Sequence, residues 1–151
     1  MFVEVYEDLL RFARAVRPMS VDPEDLVQEA LARTLSTRRL TSLDRPDVYL
    51  RRAVLTVAMN EQRRLRRQLS RWGRVGPDPD VAADTYPSDV ADLMRLSPKA
   101  RAVVYLHFVE QMPYDEVGDA LGCSTETARK TASRALHALR SPVDVESLEA
   151  R

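Results

Sequence analysis

Apolar residues recur at three- and four-residue spacing along most of the chain, the signature of helices with one buried face. From Phe2 to Arg17, the residues Phe2, Tyr6, Leu9, Leu10, Ala13 and Val16 form one stripe, while Glu4, Glu7, Asp8, Arg11 and Arg14 face outward. Pro18 is placed to stop that helix. A second helix is predicted from Asp22 to Leu40. Asp22 suits the N-cap, Pro23 the first turn, and Glu24 and Asp25 complement the positive end of the dipole. Leu26, Val27, Ala30, Leu31, Thr34 and Leu35 line its inner face, with Gln28, Glu29 and Arg33 outside it. Thr41 to Asp47 carries the turn residues Ser42, Asp44 and Pro46. A long helix then runs from Val48 to about Arg71, with Leu50, Val54, Val57, Ala58 and Leu65 inward. A short helix from Ser88 carries Val90, Leu93 and Met94. Ser97-Pro98 opens another whose apolar side is Ala102, Val103, Leu106 and Val109.

After Pro113 the pattern sharpens. Tyr114 to Leu121 is a short helix with Val117, Ala120 and Leu121 at helical spacing. Gly122 can enter the left-handed region and end it, and Ser124 or Thr125 can cap the next helix. That helix has a stripe of mostly small residues, Thr125, Ala128, Ala132, Ala135 and Leu139, so it can lie close against a partner. Its other side is polar and basic, with Glu126, Arg129, Lys130, Ser133, Arg134 and His137. A short helix, a glycine turn and a basic second helix form a helix-turn-helix pattern. Its second helix can reach base edges in a DNA major groove with its N-terminal residues. A plain helical hairpin with a solvated outer face is the alternative. Gly118 favours a close helix crossing, and Ser141-Pro142 is expected to end the last helix.

Composition bounds the picture. The 151 residues suffice for one or two small domains, and 23 basic residues balance 23 acidic ones. The balance hides an uneven distribution. Residues 51–74 hold eight arginines and one glutamate, a surplus of seven positive charges. Residues 75–97 hold five aspartates and one arginine, a surplus of four negative charges. Arg63, Arg64, Arg66 and Arg67, with Trp72 just past the same helix, suit phosphate contact and base stacking. A merely solvated basic face is the competing reading. Cys123 is the single cysteine, so no internal disulfide is possible. The two histidines and one cysteine lie too far apart to suggest a zinc site, and no cofactor or catalytic residue set is expected. No signal peptide and no membrane-spanning run is apparent, which fits a cytoplasmic location.

Gly73 to Pro87 combines glycine, proline and aspartate and reads as a flexible acidic linker. The expected organisation is all-α, in two small helical domains. A first domain covers 1–72, the linker 73–87, a second domain 88–141 and a short tail 142–151.

Two segments carry a family resemblance. DPEDLVQEA, from Asp22 to Ala30, resembles the region-two motif of bacterial sigma factors of the extracytoplasmic-function group. LSPKARAVVYLHFVEQMPYDEVGDALGCSTETAR, from Leu96 to Arg129, resembles region four of the same group. The resemblance implies an alternative sigma factor that binds core RNA polymerase and directs promoter recognition and transcription initiation, and that is not an enzyme. It implies that Asp25, Gln28 and Glu29 dock on the clamp of the largest subunit and that the second domain meets the flap of the second. Tyr49, the Arg63–Arg67 cluster and Trp72 would hold the opened minus-ten strand. Glu126, Thr127, Arg129, Lys130, Ser133 and Arg134 would face the minus-thirty-five duplex. An anti-sigma factor is a further implied partner. The chain departs from the family pattern at Leu55 and Thr56, where an Arg-Asn pair is usual. It departs also at Asn60 for Asp, Tyr49 for Trp, and Thr131 and Ala132 in the recognition helix. A helix-turn-helix regulator that never joins polymerase is the alternative, which Asp25, Gln28 and Glu29 argue against. A small nuclease would need a carboxylate metal cluster or an activated nucleophile, and neither pattern is present.

Overall fold

The computed structural model describes residues 2–71 and 93–149. Trp72, Arg74, the 73–87 linker, Ser88 and Val90 lie outside the described residues. Among the described residues there are six α-helices: α1 Phe2–Val16, α2 Pro23–Thr37, α3 Pro46–Arg71, α4 Pro98–Val104, α5 Tyr114–Leu121 and α6 Thr125–Glu149. A 3₁₀ turn at Leu40–Ser42 links α2 to α3, and a π turn at Tyr105–Val109 extends α4.

The helix starts follow capping chemistry. The Asp22 carboxylate accepts from the Glu24 backbone N–H at 2.8 Å, with Pro23 at the first position of α2. Ser97 accepts from the Ala100 N–H at 3.1 Å and is likewise followed by proline. α2 stops at Thr37 rather than Leu40, and Leu35 is 56% exposed instead of inward. At about 100° per residue, Leu35 falls about 100° from the middle of the arc set by Leu26, Val27, Ala30, Leu31 and Thr34. Val109 is also 65% exposed against expectation. The π turn bonds Glu110 N–H to the Tyr105 carbonyl five residues back, at 3.1 Å, which shifts the register so that Val109 no longer lies under Leu106. The last helix continues to Glu149, past the stop expected at Ser141-Pro142. Proline removes one helical hydrogen bond, yet the turns beyond it can still form.

α1, α2 and α3 pack as one three-helix module, and α4, α5 and α6 as a second. The two share a continuous core. Phe12, Leu55, Leu106, Val117 and Ala132 all belong to one buried cluster. Phe12 is fully buried beside Tyr105, with ring centroids 6.2 Å apart. Burial pushes the Tyr105 phenol above its usual range, and Glu110 adds to the shift.

Polar bridges cross the same junction. Arg51 meets Glu110 at 3.0 Å with side chains only 11% and 22% exposed. Arg52 donates to the Asp119 carbonyl. Arg101, 4% exposed, donates to the Arg17 carbonyl at 2.8 Å while its Nε has no partner. Burial, with Arg17 nearby, lowers this guanidinium to about 10, which still leaves it charged at neutral pH. Leu55 follows Arg51 by four residues and Arg52 by three, so it shares their side of α3. Its 5% exposure gives the departure at this position a packing role.

Candidate nucleic-acid interface

The turn between α5 and α6 is built as its residues require. Gly122 adopts φ 76° and ψ 33°, the left-handed conformation that ends α5. The Cys123 N–H then returns to the Gly118 carbonyl at 2.9 Å. A Cβ on Gly118 would stand 2.6 Å from the Cys123 carbonyl oxygen, so glycine is required for this crossing. Ser124 caps α6, its oxygen accepting from the Thr127 N–H at 3.0 Å. Ala128, Ala132 and Ala135 are buried, which turns the opposite face of α6 to solvent.

That face carries all six expected residues. Glu126, Thr127, Arg129, Lys130, Ser133 and Arg134 are exposed. Lys130 lies 3.7 Å from Glu126, an open pair four residues apart. Arg129 takes a different neighbour. Its guanidinium carbon lies 5.6 Å from the centroid of the Tyr114 ring. Tyr114 in turn stacks on His107, at 3.8 Å and 12° between planes, and Phe108 meets His107 edge-on at 4.7 Å. The His107 Nδ1–H donates to the Met112 carbonyl at 2.8 Å, because a carbonyl can only accept. Sequence spacing gave no sign of this column, since its members sit on three different elements.

The described residues expected at the minus-ten strand fall in two places. Arg63, Arg64, Arg66 and Arg67 are exposed on the C-terminal half of α3. Arg63, Arg64, Arg67 and Arg71 fall within an arc of about 100°, with Arg66 about 60° to one side. Arg64 is drawn to Glu61 at 2.8 Å, and Arg63 points toward Asn60 at 3.5 Å. Tyr49 sits near the other end of α3, about 21 Å along the axis from Arg63 at 1.5 Å per residue. Arg38 lies over its ring at 5.5 Å. Arg33, Arg52 and Thr56 help line a cleft of ≈ 320 Å³ there, at the small end of ligand-sized pockets. The structure thus separates Tyr49 from the arginine cluster, and adds Arg33, Arg38 and Arg52 around it.

Asp25, Gln28 and Glu29 are exposed together on α2, opposite the arc that faces α1 and α3. Glu29 is also bonded to Arg33 at 2.8 Å. Among the described residues, no group of three or more His, Cys, Asp or Glu side chains could hold a metal ion. None of the described helices is long and apolar enough to cross a membrane.

An all-α chain ending in a close-packed helix-turn-helix with a basic outer face defines a DNA-binding protein. Comparison with known proteins narrows the class. Residues 93–141 match the model of region 4 of the Sigma-70 family. The chain is 36% identical over 161 residues to the RNA polymerase sigma-E factor of Streptomyces coelicolor, covering 99% of this chain and 88% of that relative. It is 34% identical over 164 residues to the sigma-E factor of Streptomyces avermitilis, covering 99% and 87%. With that of Streptomyces antibioticus it shares 37% over 154 residues, covering 95% and 82%. No solved structure gives a significant match. The chain belongs to the extracytoplasmic-function-type sigma factors, alternative sigma factors that direct transcription initiation.

Proposed function

We propose that the chain brings core RNA polymerase to promoters through three surfaces. Asp25, Gln28 and Glu29 form the contact with the clamp of the largest subunit, and the second module meets the flap of the second subunit. The arginine cluster of α3, with Tyr49 at its far end, holds the opened minus-ten strand. α6 enters the major groove of the minus-thirty-five duplex. The work is binding and positioning, without catalysis, and its place is the cytoplasm. An anti-sigma factor is the class of protein expected to compete for these surfaces.

Geometry sets one condition on this function. Elements centred 25 base pairs apart are separated by about 85 Å of duplex at 3.4 Å per pair. A docked chain of 151 residues spans only about 40 Å. The 21 residues of 72–92 reach at most about 75 Å when fully extended. The two modules therefore separate when both elements are engaged.

The observation that carries this reading is the exposed polar face of α6, held at its N-terminal end by the tight Gly118–Cys123 crossing. Arg129 and Lys130 stand in its first two turns, where a recognition helix comes closest to base edges. Arg134 stands further on, where phosphates are nearer. The test measures holoenzyme affinity across single-base variants of the upstream element. Arg129→Ala should relax preference at one or two positions by about 1–3 kcal/mol, while Arg134→Ala weakens all variants alike. A uniform loss with Arg129→Ala would make Arg129 a phosphate contact and reverse the orientation of α6.

A further inference from the structure

The column of rings beside the recognition helix joins irregular backbone to the residue assigned to base reading. His107 and Phe108 sit on the π turn, and Gln111 closes the following loop at φ 56°, a conformation uncommon for a side chain of this type. The loop is fastened by Met112 N–H to the Leu106 carbonyl at 3.0 Å and by His107 to the Met112 carbonyl. Its result is a flat imidazole laid against the Tyr114 ring at 3.8 Å. Phe108, edge-on to His107, backs it. Tyr114 opens α5 and is half-buried, so its ring is held from both backbone and neighbour. Arg129 has no carboxylate partner among the described residues, and the Tyr114 ring is where its guanidinium rests.

We infer that Tyr114, pinned by His107, is a positioning residue for Arg129 and thereby sets how sharply the upstream element is read. The inference rests on the reading of Arg129 as a base contact. An arginine side chain has about 2 kcal/mol of rotamer freedom, and a bidentate contact to guanine uses one narrow subset of it. A ring surface attracts the guanidinium, and holding it there before DNA arrives removes part of the ordering that binding otherwise requires. The contribution appears as discrimination at the base pair that Arg129 addresses, not as general affinity for DNA. Strained loop geometry is then explained by what it places.

The experiment uses holoenzyme assembled from core polymerase and the full chain, with affinity measured on promoters carrying each base at every position of the upstream element. Tyr114→Leu should reduce discrimination at the Arg129 position about two- to fivefold, ~0.5–1 kcal/mol at 1.4 kcal/mol per factor of ten. Tyr114→Phe, which keeps the ring, should retain the native ratio. His107→Ala frees the ring without removing it and should give a smaller loss at the same position, which keeps the test decisive if Tyr114→Leu folds poorly. In an Arg129→Ala background, Tyr114→Leu should change discrimination no further. Equal loss on every variant, a Tyr114→Phe protein no better than Tyr114→Leu, or added loss in the Arg129→Ala background each overturns the proposal. If Arg129→Ala itself lowers all variants alike, the base-reading role of Arg129 fails and the positioning role falls with it. If Arg129→Ala relaxes preference and Tyr114→Leu does not, only the positioning role is lost.

Discussion

Glu110→Ala tests the junction between the modules. The substitution leaves the Arg51 guanidinium, 11% exposed, without its carboxylate. Removing one partner from a fully buried pair costs about 3–5 kcal/mol. The residual exposure of this pair lets water reach part of the vacated site, so about 1.5–3 kcal/mol is the fitting range, that of a hydrogen bond to a charged group. That weakens docking roughly 10- to 100-fold at 1.4 kcal/mol per decade. Spin labels report it directly. Ala32 on α2 and Ala138 on α6 are exposed and lie on different modules, and both can be changed to Cys once Cys123 is made Ser. The unaltered junction should give one short distance distribution by pulsed electron resonance. Glu110→Ala should move a measurable fraction to longer distances. Arg51→Ala with Glu110→Ala should recover much of the short population, since no unpaired charge then remains. An unchanged distribution in Glu110→Ala would show that the ion pair contributes nothing to docking.

Three further outcomes are expected. Gln28→Ala with Glu29→Ala should weaken core polymerase binding with little change in helicity by circular dichroism; unchanged affinity would remove α2 from the clamp contact. Arg66→Ala with Arg67→Ala should flatten the dependence of single-stranded DNA affinity on salt, because each phosphate neutralised releases counterions. A slope equal to the parent's would leave these arginines as solvent-facing charge only. Gly118→Ala should lower stability by about 1–3 kcal/mol through overpacking against the Cys123 carbonyl, read as a reduced denaturation midpoint; a midpoint equal to the parent's would mean the crossing can give way.

Much of the secondary structure was legible because it rests on local chemistry. α5 runs from Tyr114 to Leu121 as its spacing indicates, and Asp22, Ser97, Gly122 and Ser124 take the capping roles their side chains suit. Legibility ends where one module meets the other. Phe12 lies on the flank of the α1 stripe, and its burial depends on Tyr105 arriving from the second module. Arg51 and Glu110 are 59 residues apart, and Arg101 and Arg17 are 84 apart, so no window along the chain contains either pair. Val109 was misplaced for a local reason of another kind, since a π turn leaves no simple mark in the spacing of apolar residues. The polar outer face of α6 was legible from periodicity, whereas the ring that meets Arg129 was not.

The shared core also bears on how tightly any partner can hold this chain. A partner that keeps the modules apart binds only the open fraction of the population. Its apparent dissociation constant is the intrinsic value divided by that fraction. If docking is favoured by about 3 kcal/mol, less than one molecule in a hundred is open, and affinity is reduced more than a hundredfold at surfaces the partner never touches. Leu55 and Phe12 would then act as affinity determinants from within the closed state. Substitutions that loosen them would tighten such a partner's grip, and a ligand that bound only the docked form would slacken it by the same arithmetic.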